Sequence, residues 1–244
     1  MNFKMATYSQ SIPKIDQMVP GALIDVINPK DLESLKQMVL LGKHMGLKYL
    51  LVETSNLDVD ISEIQIENSP KLIPIITIDS RSKSTLSEAF GRKIIFLQAR
   101  SNREFIEGLK IPQVSVISVR LETLPELINP RTLHIFSQYY KFIELQFRDF
   151  IVADSRTRAG YVKLIRRNNE LLNSKRLRLL VGSRASSIYE MISPRFLRDC
   201  LELLGFRDYI LKKIFKETPK ELILTPLEVV VSREGGHSGN RLNI

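Results

Sequence analysis

Residues 142–181 read FIELQFRDFIVADSRTRAGYVKLIRRNNELLNSKRLRLLV and contain an apolar run, a helical pattern and a second apolar run. The two apolar runs, 142–147 and 177–181, are almost continuous rather than alternating. Such runs are typical of strands that are buried on both faces of a parallel sheet. Between them, apolar residues recur at helical spacing from Asp154 to about Asn173. The stretch therefore predicts a strand, a helix and a second, parallel strand.

The same unit repeats along the chain. Five more apolar runs precede this stretch, at 22–26, 47–52, 72–78, 94–97 and 114–119. Helical patterns lie among them at 31–45, 83–90, 102–109 and 122–127. An eighth strand has two candidates, 222–225 and 229–231. Repeated strand and helix units at this length fit a closed barrel or an open doubly wound sheet.

We favour the barrel, because residues 25–28 stand where a doubly wound sheet would carry a glycine-rich phosphate loop. The predicted fold is α/β, a TIM-like (β/α) barrel of seven to eight parallel strands that need not be regular. No shift in composition marks a domain boundary. We predict one barrel domain over residues 1–233 and a flexible, glycine-containing tail over residues 234–244.

Composition places the chain among globular proteins, with 43% hydrophobic and 26% charged residues. No apolar run approaches the roughly 18 residues that span a bilayer, and residues 1–10 lack the hydrophobic region of a signal peptide. We therefore expect a cytoplasmic protein without a membrane partner. The single cysteine, Cys200, excludes an intramolecular disulfide and any multi-cysteine metal site.

Positive charge is concentrated in one third of the chain. Residues 141–213 hold eleven arginines and five lysines against eight acidic residues, a net charge of +8 out of +9 for the whole chain. A local basic excess attracts a polyanionic partner, with nucleic acid as the leading candidate and an anionic lipid surface as a weaker one.

Two predicted helices in this region begin with arginine. Asp154 is the candidate N-cap of the first, and Ser193 followed by Pro194 marks the start of the second. Their opening turns carry Arg156, Arg158, Arg195 and Arg198. Because a helix start is the positive end of the macrodipole, cations there are unfavourable unless an anion such as phosphate binds. The pattern predicts phosphate binding.

Several chemistries have little support in the sequence. The three histidines, His44, His134 and His237, are far apart, and no zinc, nucleophile-elbow or Walker motif is present. Carboxylates at strand ends, Asp25, Glu53 and Asp79, leave open a magnesium phosphoesterase. The residues otherwise predict that this chain alone holds no metal and is not a catalyst.

The last third of the sequence resembles the archaeal and eukaryotic ribonuclease P protein component 3 family. The matching segments, in order, are FIELQFRDF (142–150), Arg158-Ala159, RRNN (166–169), LLVGSRAS (179–186), YEM (189–191), Ser193-Pro194, LLGF (203–206), Thr218-Pro219 and Ile223-Leu224. The resemblance covers residues 140–225, and the strand around Asp25-Val26 fits the family more loosely.

The resemblance implies a TIM-like barrel that acts as a protein subunit of ribonuclease P, the ribonucleoprotein endonuclease that removes the 5′ leader from precursor tRNA. The implied partners are the ribonuclease P RNA, protein component 2 and, in the assembled complex, precursor tRNA. Magnesium ions would belong to the RNA, and this chain would carry no cofactor.

Two positions depart from the family pattern. Members commonly carry Ser-Ser-Gly-Ala where this chain has Gly182-Ser183-Arg184-Ala185, and often an arginine where it has Ile192. Arg184 and Arg195 are hypothesised to restore the charge.

The predicted function is RNA binding by arginine contacts to phosphates near the carboxyl ends of the strands. The predicted RNA-binding residues are Arg148, Arg156, Arg158, Arg166, Arg167, Lys175, Arg176, Arg178, Ser183, Arg184, Ser186, Arg195 and Arg198. A second set would extend this surface or contact the protein partner: Lys163, Arg166, Arg167, Lys175, Arg176 and Arg178. The alternatives are the magnesium phosphoesterase and a structural scaffold whose basic face binds an acidic protein.

Overall fold

Seven parallel strands form one sheet in the order in which they occur along the chain. The computed structural model describes residues 23–55, 57, 61, 64, 66–79 and 94–224. Its strands are β1 (Ile24–Ile27), β2 (Tyr49–Glu53), β3 (Lys71–Asp79), β4 (Ile94–Ala99), β5 (Val114–Arg120), β6 (Phe142–Gln146) and β7 (Leu179–Gly182). Each of the seven predicted strands is confirmed.

Helices connect most of the strands. They are α1 (Leu32–His44), α2 (Asn102–Lys110), α3 (Leu124–Leu127), α4 (Pro130–Phe136), α5 (Arg148–Val152), α6 (Ser155–Arg167), α7 (Asn169–Leu172), α8 (Pro194–Leu203), α9 (Asp208–Lys212) and α10 (Thr218–Leu224). Short 3-10 turns occupy Leu121–Thr123 and Ile188–Glu190, and a π-helical turn occupies Lys213–Glu217.

The helix starts follow the predicted capping residues. Asp154 accepts a hydrogen bond from the Thr157 amide and begins α6, and Ser193 caps α8, with Pro194 at its first position. The helix predicted from Asp154 to about Asn173 divides at Asn168, whose side-chain amide donates to the Leu164 carbonyl. Asn168 thus ends α6, and α7 begins at the next residue.

Two predicted segments cannot be compared, and one prediction was wrong. The candidate helix at 83–90 and the candidate strand at 229–231 lie outside the described residues. The candidate eighth strand at 222–225 is wrong, because Leu222 lies in α10. Leu222 packs among the inward-facing side chains of the strands.

The sheet closes into a nearly complete barrel where β1 meets the end of β7. Ile27 pairs in parallel with Ala185, and the Asn28 amide donates to the Ala185 carbonyl over 2.7 Å. The Arg184 amide donates to the Val26 carbonyl over 2.7 Å. The fold is therefore a TIM-like α/β barrel with seven strands in the described part of the chain.

The core has two layers, which explains why the strand sequences are continuously apolar. Inside the barrel, Val26, Leu51, Ile75, Phe96 and Leu180 pack against one another. The alternate residues of each strand point outward and pack under the helices in a second, larger cluster. Both faces of each strand are thus buried, as expected for a parallel sheet covered by helices.

Candidate nucleic-acid interface

The interior of the barrel changes from apolar to polar at the carboxyl ends of the strands. Along β6, Phe142 faces the apolar interior and Glu144 follows it two residues later on the same face. The Glu144 carboxylate accepts a hydrogen bond from the Ser118 hydroxyl of β5. Gln146 donates to the side chains of Gln98 and Ser118 over 2.6 and 2.8 Å. A polar layer therefore closes the top of the core.

Arg184 lies inside this polar layer. Its Nε and Nη2 atoms donate to the two carboxylate oxygens of Glu144 over 2.7 and 2.6 Å. Its Nη1 donates to the Thr77 hydroxyl over 2.9 Å and lies 3.4 Å from a Glu53 oxygen. The guanidinium also lies over the Phe96 ring, 4.9 Å from its centroid. The arginine is thus an internal counter-ion for two buried carboxylates.

Arg184 was predicted to contact RNA, and the structure places its side chain inside the barrel. Its side chain is 8% exposed, and a buried, doubly paired guanidinium does not present donors to a phosphate on the surface. Burial by itself lowers the pKa of the guanidinium, but the charges of Glu144 and Glu53 outweigh burial and hold the pKa above its ordinary value. Arg184 therefore remains charged inside the barrel.

The backbone at Arg184 is strained to allow this placement. Its φ angle is +50°, in the left-handed region that costs a non-glycine residue about 1–2 kcal/mol. A side chain at Gly182 would place its Cβ 2.8 Å from a Glu144 oxygen. The missing side chain at Gly182 therefore gives Glu144 the space to bind Arg184, and the ion pair offsets the strain.

Asp25 links β1 to the end of β7, where the barrel closes. Its Oδ1 accepts hydrogen bonds from the amides of Val26 and Ser183, both over 2.8 Å, and its Oδ2 accepts one from the Ser183 hydroxyl over 2.6 Å. Ser183 is buried and its hydroxyl is used in this link. Ser183, which was predicted to contact RNA, therefore has a structural role between β1 and β7.

Burial of Asp25 predicts an unusual pH dependence of stability. Desolvation raises the pKa of its carboxyl group from 3.8 to about 6, against the hydrogen bonds from Ser183 and Val26 that lower it. The folded state thus favours the neutral acid. The raised pKa of Asp25 therefore adds to the free energy of unfolding at low pH. This contribution is complete below about pH 4, is lost as the pH rises to about 6, and is on the order of 2–3 kcal/mol.

Urea titrations between these pH values test the Asp25 contribution. As the pH rises, we expect the free energy of unfolding of the wild type to fall relative to that of Asp25→Asn. Asp199→Asn, on the exposed surface of α8, is the matched control. A difference that is flat across the window would contradict the assignment.

A second ion pair ties together the segments that follow β6 and β7. Arg148 donates through Nε and Nη2 to the carboxylate of Glu190 over 2.8 and 2.9 Å, and its Nη2 donates to the Ser186 hydroxyl over 3.1 Å. Hydrogen bonds from Arg148 lower the pKa of Glu190 to about 2. Ser186, which was also predicted to contact RNA, is buried and hydrogen-bonded to Glu190. Sequence reasoning did not identify Glu190.

Three further residues that were predicted to contact RNA donate hydrogen bonds to backbone carbonyls. Arg158 donates to the carbonyls of Phe150, Ile151 and Ala153 over 2.8–3.1 Å, and so caps the end of α5. Arg166 donates to the Leu203 carbonyl over 3.1 Å and joins the ends of α6 and α8. Arg178 donates to the Tyr139 carbonyl over 3.4 Å and lies 3.8 Å from Glu221.

Two more predicted residues have weaker partners. Arg198 lies 3.7 Å from Asp208 near the surface. Lys175 lies over the Tyr209 ring, 5.7 Å from its centroid. Both side chains can exchange these contacts for a phosphate at low cost, because exposed pairs contribute little to stability.

Five of the side chains that were predicted to contact RNA or to extend the RNA-binding surface are exposed and form no side-chain hydrogen bond, ion pair or ring contact with any described residue. They are Arg156, Lys163, Arg167, Arg176 and Arg195. Four of them were predicted as RNA contacts, and Lys163 was predicted to extend the surface. Since binding a phosphate does not require them to give up another charge, they are the strongest candidates for anion contacts.

Three of these five side chains share one face of α6. Arg156, Lys163 and Arg167 are separated by seven and four residues, which places them within about 40° of one another around the helix. They span about 16 Å along the helix axis. Gly160 lies between them, and a Cβ there would meet nothing within 4 Å, so the face is open. Residues 155–167 contain no acidic side chain.

The basic surface is a strip along the flank of the barrel and not the single rim that was predicted. α6 begins after the carboxyl end of β6 and returns to the amino end of β7, so its cations extend from one end of the barrel to the other. Arg195, in the first turn of α8, lies at the carboxyl end, whereas Lys175, Arg176 and Arg178 precede β7 at the amino end. We call Arg156, Lys163 and Arg167 the α6 strip.

The three carboxylates of the magnesium alternative have other partners. Asp25 is bonded to Ser183, Glu53 to Thr77 and Arg184, and Asp79 lies 2.8 Å from Arg100. Within the described ranges, no three histidine, cysteine or acidic residues are grouped so that they could hold a metal ion. In the same ranges, no helix is long and apolar enough to cross a bilayer.

Fold and surface define the class of protein: a TIM-like α/β barrel with an internal ion-pair cluster and an unpaired basic strip on one flank. The fold is similar to that of a chain in the cryo-EM structure of archaeal ribonuclease P with mature tRNA. The TM-score is 0.62 at 18% sequence identity, over 91% of this chain and 97% of that chain. No protein-family model and no curated protein matches the sequence. At this identity the likeness shows the fold.

Proposed function

We propose that this chain is a protein subunit of ribonuclease P, of the component 3 kind, and that it binds the catalytic RNA through the α6 strip. The observation that carries the proposal is the likeness of almost the whole barrel to a chain of an archaeal ribonuclease P assembly. The sequence segments between 140 and 225 support the same family independently of the fold comparison.

The proposed mechanism is electrostatic. Unpaired cations on a helix face bind RNA phosphates and release condensed counterions, which gives affinity without reading the base sequence. Arginine at two of the three strip positions allows bidentate contacts with phosphate oxygens. Arg176 and Arg195 would extend the contact toward the two ends of the barrel.

In the same proposal, the internally bonded arginines shape the surface instead of contacting RNA. Arg148 and Arg158 fix the segments around α5, and Arg166 fixes the far end of α6. The hydrolytic chemistry and its magnesium ions would belong to the RNA subunit. A protein partner of the component 2 kind would complete the assembly, as the family resemblance implies.

Reconstituted cleavage of precursor tRNA tests this proposal. At limiting magnesium, we expect the purified chain, added with its protein partner to the RNA subunit, to raise the cleavage rate at least about tenfold over a mixture without it, equivalent to about 1.4 kcal/mol. Every active mixture should require the RNA subunit. Cleavage by the chain without RNA, or no change on adding the chain, would contradict the proposal.

A further inference from the structure

Helix α8 is apolar on two sides, although the described part of the fold buries only one. Leu197 and Leu201 face the core and are buried. Phe196, Cys200 and Leu203 recur four and three residues apart and therefore form a second stripe on a neighbouring side. Phe196 is 60% exposed and Leu203 is 75% exposed. A surface helix of a single globular domain needs one apolar face, so the second stripe requires another explanation.

Phe196 and Cys200 of the second stripe line a cleft between α8 and the segment formed by α5 and the start of α6. The cleft has a volume of about 710 Å³. Phe150 and Ile151 line one side, Phe196 and Cys200 the other, and all the lining side chains except Arg158 and Ser193 are aromatic, aliphatic or sulfur-containing. Tyr189, at its edge, is 89% exposed. The cleft thus has room for several apolar side chains from outside.

The charge around the cleft has one sign along the α6 side. Residues 155–167 carry five basic side chains and no acidic one, and Arg158 itself lines the cleft. Its guanidinium caps the end of α5. Arg195 adds a further unpaired cation beside Phe196 on α8. An occupant with an apolar face and acidic flanks therefore complements the cleft.

The mixed apolar lining of the cleft favours a protein segment over RNA bases. Beside its aromatic rings, the cleft is lined by Met45, Ile151, Met191 and Ile192, which neither stack on bases nor donate hydrogen bonds to base edges. A helix laid into a groove presents apolar side chains at spacings of three and four residues, which match the spacing of Phe196, Cys200 and Leu203. The apolar lining and the basic side chain of Arg158 therefore favour an amphipathic helix as the occupant.

We propose that this cleft binds an acidic amphipathic helix of a partner protein. The inference deepens the part of the proposed function that gives this chain a protein partner, and it does not depend on RNA binding. Phe196 would be the central anchor, since large aromatic side chains at the centre of an interface carry much of the binding free energy. Arg158, which lines the cleft, would contact an acidic flank of the helix through Nη1, because only its Nε and Nη2 groups bond the end of α5.

Fluorescence anisotropy with a designed peptide tests the cleft in the full-length chain without RNA. The probe is a helical peptide of about four turns, with leucines on one face and glutamates beside them. The comparison peptide has lysine in place of every glutamate. We expect the acidic peptide to bind at least about tenfold more tightly than the basic one, and Phe196→Ser to weaken its binding at least about tenfold.

Leu40→Ser is the matched control, because Leu40 is also an exposed apolar side chain but lies on α1. It should leave peptide binding unchanged. Equal affinity of the two peptides, or equal affinity of wild type and Phe196→Ser, would overturn the proposal. So would self-association in sedimentation that Phe196→Ser abolishes, which would make a second copy of this chain the occupant.

Two further outcomes separate the cleft from the RNA surface. A tenfold loss of affinity for a uridine-rich RNA in Phe196→Ser, on the scale of about 1.4 kcal/mol, would assign the cleft to bases and overturn the proposal. Peptide binding that appears only after removal of residues 225–244 would assign the cleft to the chain's own end. If the chain binds RNA but not the acidic peptide, the RNA part of the proposed function stands and the proposal that the cleft binds a helix is overturned.

Discussion

Replacing Arg184 with alanine is expected to destabilise the folded chain by about 3–5 kcal/mol. The substitution leaves Glu144 fully buried and without its counter-ion, and it removes the cation beside Glu53. A buried carboxylate without a partner must either be protonated or admit water into the barrel. This loss approaches the whole stability of many domains of this size, so part of the chain population would unfold at growth temperatures.

Urea unfolding at neutral pH measures the Arg184 effect. Adding Glu144→Gln to Arg184→Ala should recover part of the stability, because the second change removes the buried charge. Arg184→Gly should be less damaging than Arg184→Ala by about 1 kcal/mol, since glycine relieves the positive φ angle. Arg156→Ala, on the exposed strip, is the matched control and should change stability by less than about 0.5 kcal/mol. An Arg184→Ala chain as stable as the control would refute the internal counter-ion.

Neutralising the α6 strip is expected to weaken RNA binding about tenfold to a hundredfold at low salt. The variant carries Arg156→Gln, Lys163→Gln and Arg167→Gln, and each change removes one exposed phosphate contact worth about 0.5–1 kcal/mol. Folding should be unaffected, because the three side chains have no ion-pair partner among the described residues. The affinity of each chain for the ribonuclease P RNA is the quantity to measure.

A second triple variant tests whether RNA binding depends on the position of the three charges or only on the total charge of the chain. Lys36→Gln, Lys110→Gln and Arg131→Gln remove the same three charges from exposed positions on α1, α2 and α4. Its RNA affinity should stay within about threefold of wild type, since a diffuse loss of charge removes no direct contact. Equal losses in the two triple variants would show that net charge, rather than the strip, determines binding.

Much of the fold follows from the sequence because burial on both faces leaves a simple pattern. The runs at 142–147 and 177–181 became β6 and β7 with few changes at their ends. Asp154 and Ser193-Pro194 marked helix starts correctly, because capping depends on local hydrogen bonds. The candidate strand at 222–225 failed since a short apolar run does not distinguish a strand from a buried helix.

The site was harder to predict because it depends on contacts between distant segments. Arg184 follows a strand in a polar loop, and nothing nearby in the sequence indicates burial; its partners Glu53 and Glu144 lie 131 and 40 residues away. One signal was present. Glu144 shares the inward face of β6 with Phe142, and a carboxylate at such a position requires a cation or donors from elsewhere in the fold.

The salt dependence of RNA binding tests the central claim most directly. For the wild type, the plot of log affinity against log salt concentration should have a slope of about −3 to −4, as expected when five unpaired cations neutralise phosphates. The α6 strip variant should have a slope smaller by about 2 units, because three of those contacts are gone. A wild-type slope near one unit, or the same slope in both proteins, would contradict the account.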